Sequence, residues 1–80
     1  MKRPERRRYA ADEVAGFDKR VLAQLYYPEN SPRIAVRRLK QAIRRCPELA
    51  AELTAHGYRP RLRRFSPAEV GLLYEYLGEP

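Results

Sequence analysis

Eighty residues, 44% of them hydrophobic, suffice for one small packed core and are too few for two domains. Seventeen Lys and Arg against ten Asp and Glu leave a net charge of +7, which favours a polyanionic partner: nucleic acid, an anionic membrane or an acidic protein. A single cysteine excludes an internal disulfide and fits a reducing compartment.

Residues 1–8 carry +4 and nothing apolar after Met1. They read as a basic disordered arm, which leaves 9–80 as a single small helical domain. Such an arm can bind phosphates or merely solubilise the chain. Residues 9–17 fit either a short helical turn ending at Gly16 or a short strand into Phe17. An irregular or short helical lead-in is the preferred reading, with Val14 and Phe17 packed inward.

Asp18 is a good N-cap for a helix over 19–26, with Val21, Leu22, Leu25 and Tyr26 on one face. Pro28 breaks it, because a proline disfavours helix at the residue before it. Ser31 then caps a second helix, and Pro32 fits its first position, where no N–H is needed. Over 32–46, Ala35, Val36, Leu39, Ala42, Ile43 and Cys46 form one apolar stripe. Arg33, Arg37, Lys40 and Arg44 stack along the opposite face, flanked by Arg38, Gln41 and Arg45. This stretch has six positive charges and no acidic residue. Mixed Glu and Lys would solvate an outer face equally well, so the one-signed face is the clearest functional clue.

Pro47 closes the basic helix and opens a third over 47–56, with Leu49 and Leu53 inward and Gly57 as terminator. Arg59, Arg61, Arg63 and Arg64 lie on a connector, where a short β-ribbon or wing is expected near 61–65. Tyr58 and Phe65 are placed to anchor that connector in the core. Ser66-Pro67-Ala68-Glu69 has the signature of a capping box and starts the last helix, 67–77. Val70, Leu73, Tyr74 and Leu77 make its expected buried stripe. Leu72 and Tyr76 fall off that stripe and form a candidate interaction patch. The fold class is therefore all-α: a small bundle of four main helices with a helix-turn-helix-like core made by 19–26 and 32–46.

Catalysis is not expected. The acidic residues show no paired arrangement for acid–base work, and no glycine-rich phosphate loop or nucleophile elbow occurs. One His and one Cys cannot supply three or four metal ligands, so no metal and no cofactor are called for. His56 suits a helix C-terminus, and Cys46 suits an inert position on the apolar stripe. A membrane span needs about 20 apolar residues, and no stretch approaches that length. With no apolar h-region near Met1, a secretory signal is not expected, and the cytoplasm is the expected location.

Several segments together resemble a known family. They are Leu22-Ala23-Gln24-Leu25-Tyr26-Tyr27-Pro28, Ser31-Pro32 with the arginine-rich helix, and Cys46-Pro47-Glu48-Leu49. Gly57-Tyr58-Arg59-Pro60, Phe65-Ser66-Pro67-Ala68-Glu69-Val70 and the terminal Tyr76-Leu77-Gly78-Glu79-Pro80 complete the set. The family is one of short bacterial proteins catalogued as a domain of unknown function, and the resemblance spans residues 17–80. It implies a small helical, helix-turn-helix-like protein and no assigned activity.

The leading expectation is a non-catalytic nucleic-acid-binding protein in a regulatory or accessory role, with double-stranded DNA favoured over RNA. Arg33, Arg37, Arg38, Lys40, Arg44 and Arg45 would contact phosphates or guanine edges, and Gln41 could pair with adenine. Arg61, Arg63 and Arg64 would add phosphate contacts, and a homodimer would suit a reader of two half-sites. No membrane and no small-molecule substrate are expected. The alternative is a protein-interaction module that binds an acidic partner or docks through the last helix. The two readings differ in geometry: nucleic acid gains if the basic residues of 33–44 and 61–64 share one continuous surface.

Overall fold

The computed structural model describes residues 16–80. The predicted arm over 1–8 and the inward-packing Val14 lie outside the described residues. Asp18 begins the helical part of the chain. Its Oδ1 accepts the Arg20 N–H at 2.9 Å, and α1 follows over Lys19–Tyr26. The break after it is held by the Asn30 N–H on the Tyr27 carbonyl (3.1 Å) and by Gln24 Nε2 on the Asn30 carbonyl (3.2 Å). The Ser31 hydroxyl then accepts the Ile34 N–H, and Pro32 starts α2, Pro32–Arg44.

The basic helix stops two residues short of Cys46. Cys46 has an extended backbone, because Pro47 disfavours the helical region for the residue before it. α3 runs over Pro47–Ala55. It ends where Gly57 adopts φ +89, a left-handed conformation that costs glycine nothing, and the Tyr58 N–H reaches back to the Leu53 carbonyl at 2.9 Å. His56 Nδ1 donates to the Glu52 carbonyl at 2.9 Å, a second bond to an oxygen that the His56 backbone N–H also reaches at 3.1 Å. α4, Pro67–Leu77, opens on a complete capping box: the Glu69 N–H donates to the Ser66 hydroxyl and the Ser66 N–H to the Glu69 carboxylate. The architecture is thus four helices with one small antiparallel sheet.

The short strand expected near 61–65 is present as β2, Arg64–Phe65, and it pairs with β1, Phe17–Asp18. At Phe17 the chain therefore takes the strand alternative, and residues 9–15 of the lead-in lie outside the described residues. Phe17 faces Phe65 and Asp18 faces Arg64 across the ladder. Gly16 lies so close to β2 that a Cβ there would sit 2.9 Å from the Phe65 carbonyl oxygen. A Gly→Ala change usually gains stability by restricting the unfolded chain. Here the clash with backbone should reverse the sign, and Gly16→Ala should cost about 1–2 kcal/mol. For a domain of this size that lowers Tm by roughly 4–8 °C per kcal/mol. An unchanged or raised Tm in a thermal melt would contradict the close approach.

The core gathers Leu22 and Ala23 of α1, Ala35, Leu39 and Ile43 of α2, Leu49 and Leu53 of α3, Phe65 of β2, and much of α4. α2 buries Ala35, Leu39 and Ile43 of its expected stripe and leaves Val36 and Ala42 half-buried. α4 buries Val70 and Leu73 of its stripe and packs Tyr74 and Leu77 against the core, but its burial extends to further faces, and α1 departs from its stripe. Val21 and Leu25 remain 50% and 47% exposed, while Lys19, Leu22 and Ala23 are buried and Tyr26 packs against the core. In α4 the buried set includes Glu69, Leu72, Leu73 and Tyr76. Both sets have the spacing i, i+3, i+4, i+7 of a helical face, but each starts on a charged residue and ends on a tyrosine. Leu72 and Tyr76 are only 8% and 5% exposed, so they do not form an outward-facing interaction patch. The physical reason is that α3 packs on that side of α4, where the Tyr76 hydroxyl donates to the Glu52 carboxylate.

Candidate functional site

The basic face of α2 borders a groove rather than standing alone. At the N-terminal end of α2, Arg33, Arg37 and Lys40 share a depression with Arg20 of α1. A second depression continues from Arg20 and Lys40 to Arg61 and Arg63 on the connector. A third runs on from Lys40 to Arg44 and the flank of α3. Lys40 borders all three, so the two basic blocks of the sequence meet at this side chain. Among the described residues Asp18 is the one carboxylate lining these depressions, and its Oδ1 already caps α1.

Lys19 sets the far wall. Its ammonium donates to the Pro60 carbonyl at 2.8 Å, and its backbone N–H donates to the Arg63 carbonyl at 2.8 Å. The same ammonium lies 5.1 Å from the centre of the Tyr58 ring and 5.8 Å from that of Phe65. Those rings stack on each other at 5.4 Å. The connector from 58 to 65 is therefore tied to the start of α1 by two hydrogen bonds and a cation–π contact, and this holds Arg61 and Arg63 beside α2. Burial, and then the charge of Lys40, lower the pKa of Lys19, while Glu69 acts in the opposite direction. Burial, and then Glu69, raise that of Tyr58, so this hydroxyl stays protonated beyond the usual tyrosine range. As anticipated, Tyr58 and Phe65 are buried and anchor the connector.

The expected site residues do not form one surface. Arg33, Arg37, Lys40, Arg44, Arg61 and Arg63 line the groove system. Arg38, Gln41 and Arg45 border a separate depression with Tyr27, whose ring centre lies 5.9 Å from the Arg38 guanidinium. Arg64 is exposed on β2, opposite Asp18 in the ladder. Sequence reasoning missed Lys19 and Arg20. Both follow an N-cap directly and read as ordinary surface positions, and only the pairing of β1 with β2 brings them to the connector.

Among the described residues no group of three His, Cys, Asp or Glu side chains could hold a metal ion. No described helix is long and apolar enough to cross a membrane. No curated protein and no solved structure matches the chain. A family model described as a domain of unknown function, DUF4248, matches residues 7–80, ten residues further toward the N-terminus than the resemblance read from the motifs; the chain belongs to this family.

Proposed function

We propose that this protein binds nucleic acid without catalysis, holding the phosphate backbone along the groove that passes Lys40. The observation that carries the reading is the continuity of the two basic blocks: Arg33, Arg37 and Arg44 of α2 join Arg61 and Arg63 of the connector through depressions that share Lys40. A track of cations, exposed except for the half-buried Lys40, with a single, internally bonded carboxylate among the described residues suits a polymer that repeats its negative charge. In this reading α1 and α2 act as a helix-turn-helix variant with a five-residue link, 27–31, and α2 lies toward the groove of duplex DNA. The role is regulatory or accessory, in the cytoplasm. The competing docking role for the last helix has no exposed counterpart, because Leu72 and Tyr76 are buried. An acidic protein would have to use the same cations.

The test is fluorescence anisotropy of labelled duplex DNA over a salt series. If the six cations Arg33, Arg37, Lys40, Arg44, Arg61 and Arg63 each neutralise a phosphate, log K should fall against log salt with a slope of about −5.4. Absence of binding at low salt would sink the proposal.

A further inference from the structure

Beyond Lys40 the groove changes character. Ile43 and Arg44 of α2 there face Ala50 and Thr54 of α3 across a notch of about 210 Å³, bounded by Tyr58 and Pro60. The floor is largely apolar. The Thr54 hydroxyl already donates to the Ala50 carbonyl at 2.9 Å, and the Tyr58 ring faces Phe65 and the Lys19 ammonium. The rim is cationic, made by Lys40 and Arg44, and among the described residues no carboxylate lines the notch. Its occupant must therefore join a compact apolar group to an anion. An apolar cavity of about 150 Å³ already accepts a benzene ring, so the notch admits a planar ring of that class. Few directional donors or acceptors remain on its walls, so it cannot tell one such ring from another.

A nucleotide combines a flat ring with a phosphate, and it sits in a chain that can follow the rest of the groove. Resting on the nucleic-acid reading above, we infer that the notch seats one unpaired base of the bound strand, its phosphate held between Lys40 and Arg44. A base stacked in a duplex cannot enter without leaving the stack, and that extrusion opposes binding. The preferred ligand is accordingly a single strand, or a duplex with an unpaired base beside the track, and the preference is insensitive to base identity.

The experiment compares the intact chain bound to a fluorescein-labelled oligothymidylate with the same chain bound to an abasic phosphodiester of equal length and charge. Base contacts of this kind should make the oligothymidylate bind about tenfold more tightly. Ala50→Leu, which fills the notch and leaves every cation in place, should reduce that difference to near one without changing affinity for the abasic chain. Equal affinities of the wild-type protein for the two chains would overturn the base seat and leave the phosphate track standing. Binding of neither chain at low salt would overturn the base seat alone where labelled duplex DNA still binds, and would overturn both readings where the duplex fails to bind as well. The wild-type comparison decides the matter even where Ala50→Leu fails to fold.

Discussion

Phe65→Ala should destabilise the protein by about 3–5 kcal/mol, measured by urea denaturation as a lower midpoint. Phe65 is among the largest fully buried side chains. Its ring stacks on Tyr58, and its backbone pairs with Phe17 in the two-residue ladder. Truncation removes apolar contact from both and leaves a cavity under the Lys19 ammonium. A domain of 80 residues has a total stability of roughly 4–12 kcal/mol, so the loss approaches the whole. Phe65→Leu keeps much of the apolar volume and should retain the fold with a smaller deficit. In that variant the connector loses its aromatic stack, so Arg61 and Arg63 should contribute less to binding than in the wild type. A loss below about 1 kcal/mol for Phe65→Ala, typical of an exposed site, would show that the connector is not anchored through this ring.

The combined change Arg37→Ala/Lys40→Ala/Arg44→Ala should weaken binding to nucleic acid by about a hundredfold near 50 mM salt, and should make the salt slope shallower by roughly three. Arg37 and Arg44 are exposed and Lys40 is half-buried beside a like charge, so stability should change little. The informative control is Arg38→Ala/Gln41→Ala/Arg45→Ala, on the same helix but beside the separate depression under Tyr27. It removes two charges that lie outside the groove and should cost far less. Anisotropy on both variants, with circular dichroism to verify folding, separates the two faces. Similar losses in both would mean that bulk charge, not the groove, governs affinity.

Much of the fold was legible before any coordinates. Helix starts are local chemistry: Asp18, Ser31 and Ser66 accept backbone N–H groups of the turn that follows, and Pro32, Pro47 and Pro67 tolerate the first helical positions. The buried positions Ala35, Leu39 and Ile43 of α2 were also legible, because its polar positions other than Gln41 are all strongly charged and its apolar ones are not. The basic face that borders the groove follows from the same contrast, and so do Arg33, Arg37, Lys40 and Arg44 as its members.

Local patterning could not reveal that Val21 and Leu25 of α1 turn outward, or that the burial of α4 extends beyond its expected stripe to Leu72 and Tyr76. Lys19 and Glu69 occupy buried positions that a hydrophobicity pattern assigns to water. They are tolerated because partners distant in sequence satisfy them or because a cap does: Lys19 by the Pro60 carbonyl, Glu69 by the Ser66 N–H of its own capping box. The join between the basic blocks was equally hidden. It needs β1 to pair with β2 across almost fifty residues and Lys19 to hold the connector, and neither leaves a periodic signal. By itself the sequence determined four helices, their caps and a one-signed basic helix, since these depend on neighbours within one or two turns. Tertiary structure alone decided that Lys19, Leu72 and Tyr76 are buried while Val21 and Leu25 are not, that Arg61 and Arg63 lie beside Lys40 while Arg38 and Arg45 do not, and that an apolar notch opens next to them, because each requires contacts between residues far apart in the chain.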